Sequence, residues 1–280
     1  MRIGINDGLR VNTPEEWIER IREFGCGAAV FPLDCDASPE EIRGYAEAAE
    51  RNGVVIGEVG IWKNALSLNE EERRSVLEYS KRELAMAEEV GARCCVNISG
   101  ARGEIWDAYY PENYEAGTYE LVVDTVREII DAVKPARTFF TLEPMPWMYP
   151  DSPENYLQLI RDVDRPAFGV HLDYANMISG MDKFLGNAAF IRHCFELLGP
   201  HIKSVHAKDL AVGRTMPASI GEVVPSKGEI DYVTVFREAA KLGGDICVFS
   251  EHLKTLEEYR VAVAYMKQKA GEAGVTLTAI

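Results

Sequence analysis

Long apolar runs are missing from this sequence: no stretch approaches the roughly 20 residues a membrane helix needs. The opening MRIGINDGLRVN has none of the apolar core of a secretory signal, so a cytoplasmic location is expected. Positive charge is scarce. Lys and Arg number 30 against 45 Asp and Glu, a net charge of −15. Phosphate backbones and anionic membranes need clustered cations, so neither nucleic acid nor a membrane is expected as partner, and a small molecule is. The six cysteines (Cys26, Cys35, Cys94, Cys95, Cys194, Cys247) show no CxxC or Cys–His spacing. They read as small buried hydrophobes rather than disulfides or metal ligands. No glycine-rich dinucleotide fingerprint follows the first apolar run, which disfavours a doubly wound open sheet.

What is present is repetition. Short β-rich runs fall at 2–6, 28–32, 54–60, 93–99, 139–144, 167–173, 202–208 and 246–252, each followed by an amphipathic segment. Helix starts are punctuated alike, by Thr13-Pro14-Glu15-Glu16, Ser38-Pro39-Glu40-Glu41 and Ser152-Pro153-Glu154: a capping residue, a proline, then acids. Further helices are predicted from Asn69 to Gly91, over 114–134, 182–199 and 231–242, and to about residue 272. Apolar strands alternating with helices imply a parallel sheet covered by helices. Eight such units in a chain of 280 residues predict a single-domain (β/α)₈ TIM barrel of the α/β class over 1–280. The stretch from Lys208 to Gly228 lacks periodicity and is expected to be a long loop forming one wall of a pocket.

Active sites of such barrels lie at the carboxyl ends of the strands. Those ends here carry Glu143, Asp173, His206 and Glu251, on four successive strands, five to eight. One strand-end acid alone is usually a cap or a surface ion pair, and a lone histidine is usually just hydrogen-bonded. Three carboxylates converging on one mouth would repel one another unless a cation neutralised them. Oxygen donors with a single imidazole favour Mn²⁺, Co²⁺, Mg²⁺ or Zn²⁺ over copper or iron–sulfur chemistry.

The stretches LEP (142–144), GVHLDYAN (169–176), VHAKD (205–209), VPSKGEID (224–231) and SEH (250–252), with the eight-unit layout, resemble the xylose isomerase-like barrels, the sugar phosphate isomerases and epimerases. The resemblance spans essentially the whole chain. It implies that Glu143, Asp173, His206 and Glu251 bind one divalent metal, Mn²⁺ first among the candidates. It also implies that Glu143 and Glu251 act as paired acid/base groups on a keto sugar or polyol ketone, through a metal-stabilised enediolate. A dehydratase, or a lyase cleaving a C-glycoside of a 3-oxo sugar, would use the same centre. Relatives are often dimers or tetramers, so a homo-oligomer is an expectation, although no surface stripe in the sequence demonstrates one.

The sequence also departs from the ketose 3-epimerase pattern. Asn176 stands where a substrate-contacting histidine is common, and the nearest arginine after His206 is Arg214, later than expected. Lys208 would polarise a substrate oxygen or bind an anionic group, or else pair with Asp209 or Glu251. Trp62, Trp106 and Trp147 follow strands three, four and five, where aromatic faces suit a sugar ring or simply pack the loops. His171 shares the face of Asp173 deeper in the barrel and reads as a core histidine before a partner of the ligands. Alternation points His252 away from Glu251, towards the core or a supporting position. Glu58 and Asn97 end strands three and four without suggesting a second ligand set. An apurinic endonuclease of this fold would need three metals and more histidines than the five present, and a non-catalytic sugar-binding barrel is the remaining class.

Overall fold

The computed structural model describes residues 1–8 and 11–280. The strands are β1 (Arg2–Asn6), β2 (Ala28–Val30), β3 (Val55–Gly60), β4 (Cys94–Asn97), β5 (Phe139–Leu142), β6 (Phe168–Asp173), β7 (Ile202–His206), β8 (Asp209–Val212), β9 (Ile220–Val223) and β10 (Cys247–Glu251). β8 and β9 form an antiparallel hairpin, and the other eight form one parallel sheet ordered β1-β10-β7-β6-β5-β4-β3-β2. β1 pairs with β10 from Arg2 opposite Cys247 to Asn6 opposite Glu251. The seam between β1 and β2 is crossed by the Gly27 N–H, which donates to the Ile3 carbonyl at 3.1 Å. The sheet is therefore a nearly closed TIM barrel.

Helices α1 (Pro14–Glu23), α2 (Pro39–Asn52), α3 (Glu70–Val90), α4 (Ala116–Val133), α5 (Pro153–Val163), α6 (Met181–Leu185), α7 (Asn187–Leu198), α8 (Tyr232–Lys241) and α9 (Leu256–Glu272) surround it. The punctuation read from the sequence caps them. Thr13, Ser38 and Ser152 each accept a hydrogen bond from a backbone N–H three residues on, and Ser38 forms a full capping box with Glu41. The single helix expected over 182–199 is instead two, divided at Gly186, a residue that costs a helix interior about 1 kcal/mol. The loop expected over 208–228 contains the β8–β9 hairpin, whose short runs DLAV and IGEV were too brief to register as periodic.

Strand alternation sorts the interior. Ile3, Phe140, Leu142, Val170, Leu172, Val205 and Val248 face the helices and join the main core. The barrel's own interior is filled low down by Phe249, packed with Ala28 and Cys247. Gly4 and Gly57 make room for that ring: a Cβ at Gly57 would lie 2.6 Å from the Phe249 Cζ. Above this plug, inward-facing residues are polar.

Candidate metal centre and active site

The inward positions of β6, β7 and β10 place Asp173, His206 and Glu251 at the mouth. Glu143 joins them because its N–H donates to the Asn97 carbonyl at 2.8 Å, extending β5 by one residue. All four side chains are buried, and their ligating atoms lie within 4.8 Å of one another. The His206 Nδ1 is 2.7 Å from the Glu251 Oε1 and 3.7 Å from the Glu143 Oε2. Asp173 Oδ2, Glu251 Oε1 and His206 Nδ1 are buried from solvent and meet one another and the Lys208 ammonium, as ion pairs. Holding several buried carboxylates together is costly without a counter-charge, and here their oxygens converge on one point. The sequence-predicted ligand set is thus brought together, and its donors fit a single divalent ion.

Lys208 also belongs to this group, with the Glu251 pairing that was one of its expected roles. Its Nζ lies 2.7 Å from Asp173 Oδ2, 2.9 Å from Glu251 Oε1 and 3.3 Å from Glu143 Oε1. It does not pair with Asp209, because adjacent residues of an extended chain face opposite ways. Three carboxylates face one ammonium and the His206 ring, a surplus of acidic groups that a divalent cation would offset. Burial works to raise the pKa of Glu143, yet Lys208 and His206 outweigh it and hold the carboxyl well below its usual range. Glu251 is lowered to about 2 against burial by His206 and Lys208. Burial pushes Asp173 up to about 7, with Lys208 opposing and Glu143 adding to the rise. Burial works to lower the Lys208 pKa, but Asp173, Glu143 and Glu251 outweigh it and hold it well above its ordinary value, so its ammonium stays charged.

A second polar layer lies beneath. Glu58 of β3 is fully buried, accepts a hydrogen bond from the Ser204 hydroxyl, and has its Oε2 3.2 Å from the His206 Nε2. His171 packs edge-on against His206 with ring centroids 4.0 Å apart, and its Nδ1 is 3.4 Å from Glu58. Burial and the neighbouring His206 lower the His171 pKa to about 4, so this ring is neutral. Neither of its nitrogens makes a hydrogen bond among the described residues, so it is not the satisfied core histidine the sequence implied. Glu58 stands at the end of strand three in the sequence with nothing local to give it a role. The available signal was its polarity at the end of an otherwise apolar strand.

Over the four donors opens a cavity of about 500 Å³, lined by Trp62, Trp106, Met145, Asn176, Lys208, Glu222, His252 and Tyr259 among others. Asn176 donates from Nδ2 to Glu143 Oε1 at 2.8 Å, so it steadies a ligand carboxylate as well as facing the cavity. Two expected contacts are corrected. Trp147 is outside the lining; it packs on the loop cluster of Ile98, Ala101 and Met148 with its indole N–H donating to the Asp107 carbonyl at 2.7 Å. Arg214 is exposed on the turn of the β8–β9 hairpin, outside the lining.

Among the lining residues that were missed are His252 and Glu222. His252 has φ +59, a left-handed backbone that breaks the alternation rule and swings its ring to the mouth. There its Nδ1 lies 3.2 Å from Glu222, which sits on the unrecognised hairpin. Trp62 also has a positive φ, +51, and its indole folds back over Gly60, where a side chain would collide with it.

No curated protein matches the chain in sequence. Solved structures match it in fold. A D-psicose 3-epimerase from Clostridium cellulolyticum H10, crystallised with D-tagatose, superposes with a TM-score of 0.71 at 16% identity, covering 98% of this chain and 99% of that one. A 3-keto-D-glucoside 4-epimerase from E. coli gives 0.71 at 17%, covering 96% and 99%. A xylose isomerase-like TIM barrel protein from Mycobacterium smegmatis, in complex with magnesium, gives 0.68 at 18%, covering 94% and 90%. The family model described as xylose isomerase-like TIM barrel matches residues 15–269, and the chain belongs to that family.

Proposed function

We propose that this protein is a divalent-metal-dependent sugar isomerase or epimerase that moves a proton at the carbon beside a carbonyl. The observation that carries the reading is the convergence of the buried Glu143, Asp173, His206 and Glu251 side chains at the floor of an aromatic-walled cavity. Fold relatives named as epimerases, one acting on a 3-keto-D-glucoside, support it.

Those four residues would hold the ion, with Mn²⁺ the first candidate and Mg²⁺, Co²⁺ or Zn²⁺ the others. A divalent ion supplies stabilisation of the negative charge that develops on a carbonyl oxygen as the neighbouring proton leaves. The rest falls to the chain. The donors come from four adjacent strands, and Glu143 and Glu251 belong to the outer pair. They therefore approach a bound sugar from two sides, one to remove a proton and the other to return one. Both are held ionised, as a base must be. Asn176 fixes the Glu143 carboxylate, and Lys208 presents a charged donor to a substrate oxygen. Trp62 and Trp106 offer flat faces to the C–H surface of the ring. All six cysteines are free, consistent with a reducing, cytoplasmic setting.

A second reading, a dehydratase or a lyase on a 3-oxo glycoside, is favoured by one feature. Another cavity, of about 540 Å³, shares Asn6, Asp7, Gly8 and Trp62 with the first, giving room for a group attached to the reacting sugar. The test is solvent exchange. Protein reconstituted with Mn²⁺ is incubated in D₂O with a panel of free ketoses and 3-oxo glucosides. Deuterium entering beside the carbonyl supports the proposal, and release of the attached group supports the second reading. Glu143→Gln and Glu251→Gln should each lower the rate by about 10²- to 10⁴-fold. Failure to bind about one equivalent of metal, or no exchange with any of these sugars, overturns the assignment.

A further inference from the structure

At the end of the barrel opposite the four donors, where β4, β5 and β7 begin, lies a cavity of about 760 Å³. Its lining includes Arg93, Arg137, Lys203 and Lys241 and no carboxylate, in a chain where acids outnumber bases 45 to 30. Arg137 and Lys241 are exposed at the rim and paired with Glu88 and Glu238. The inner two differ. Arg93 and Lys203 are half-buried, and no carboxylate acts on Lys203.

Lys203 is seated with care. Its stem crosses Gly169, where a Cβ would lie 2.8 Å from the Lys203 Cγ, and its Nζ stands 3.9 Å above the centre of the Phe139 ring. Burial, and then the charge of Arg93, pull the Lys203 pKa down. The fold therefore holds two like charges near each other in a concave, partly desolvated place, and no carboxylate among the described residues lines it. Repulsion of that kind is relieved by an anion. A guanidinium fork beside an ammonium matches the oxygens of a phosphate, the first by paired hydrogen bonds and the second as a point charge. The volume lies within the range of about 300–1,000 Å³ usual for small-ligand sites.

We propose that this cavity is a binding site for a small phosphate-bearing anion, inorganic phosphate or a phosphomonoester, held between Arg93 and Lys203 with Arg137 and Lys241 at the rim. The site is built from the amino ends of the strands and is independent of the catalytic reading.

The test is calorimetric titration of the metal-loaded protein with inorganic phosphate and, separately, with AMP, at constant ionic strength set by KCl. Saturable binding of at least one probe is expected, weakened about tenfold by Lys203→Met or by Arg93→Gln and abolished when both are changed. Binding of AMP but not phosphate would assign the site to esters, and the reverse to the free ion. Two results overturn the proposal. One is no saturable heat beyond the KCl control. The other is binding that persists in the double variant, which would place the anion on the metal centre. Gly169→Ala, which crowds the Lys203 stem without removing its charge, should weaken binding while leaving sugar turnover unchanged.

Discussion

Glu58 Oε2 lies 3.2 Å from the His206 Nε2, on the side of the ring away from Glu143 and Glu251. A carboxylate there would keep the proton on Nε2 when a metal is bound, leaving Nδ1 as the nitrogen that faces it. Such carboxylate–histidine contacts orient a ligand and raise its basicity. Glu58→Gln keeps the shape but removes the charge, so metal affinity should fall by about 10- to 100-fold. Competition with a chelator measures this. Unchanged affinity would mean that Glu58 serves only the packing of β3 against β7.

Lys208 stands in for a cation among Asp173, Glu143 and Glu251. Removing one partner of a buried ion cluster strands the others, at a cost of about 3–5 kcal/mol. Lys208→Met should destabilise the metal-free protein by that amount. Saturating Mn²⁺ should recover much of the loss, because the carboxylates regain a counter-charge. Urea denaturation with and without metal tests both statements. An equal loss in the two conditions would show that Lys208 does not share its carboxylates with the metal.

The barrel and its ligand set were legible because both rest on short-range pattern. Thr13, Ser38 and Ser152 mark helix starts, and strand alternation alone puts Asp173, His206 and Glu251 inside. What escaped depended on backbone geometry or on distant neighbours. His252 escaped because φ +59 reverses the alternation that Glu251 obeys. The partnership of Glu58 with His206 joins residues 148 apart in sequence, which no local spacing can announce. Glu222 was hidden in a hairpin of two four-residue strands, and Trp147 could be set aside only once its hydrogen bond to Asp107 was visible.

Acid sensitivity should be traceable to Glu88. Its carboxylate accepts from the backbone N–H groups of Ala136, Arg137 and Thr138 at 3.2, 2.9 and 2.9 Å, tying α3 to the start of β5. Burial opposes ionisation, but these bonds outweigh it and hold the pKa below its ordinary 4.5. A depressed carboxylate contributes stability that is complete above the unfolded value and is lost as pH falls through the folded one. Glu88→Gln should therefore cost about 1–2 kcal/mol at neutral pH. The difference should shrink below pH 4.5, where wild type loses the same contribution. Denaturation curves across that range decide it, and a difference that stays constant with pH would refute the linkage.

Gly228 controls the wall that carries Glu222. Asp209 accepts from the N–H groups of Leu210, Ser226, Gly228 and Ile230, at 3.0, 3.0, 2.9 and 3.2 Å, clamping 226–230 against β8. A Cβ at Gly228 would lie 2.5 Å from the Asp209 Cγ and would collide with the Leu210 carbonyl, so alanine must push the segment away. Of that segment only Ile230 reaches the main core, whereas the wall beside it carries the Glu222–His252 contact at the mouth. Gly228→Ala should lower kcat/KM by about 10- to 100-fold, the scale of an ångström-sized misplacement, with little change in Tm. Gly221→Ala is the control: its Cβ meets nothing within 4 Å, so the same added methyl in the same hairpin should leave turnover intact. If both substitutions reduced activity alike, the added methyl would be acting through the hairpin backbone in general, and the Asp209 clamp would not be what positions the wall.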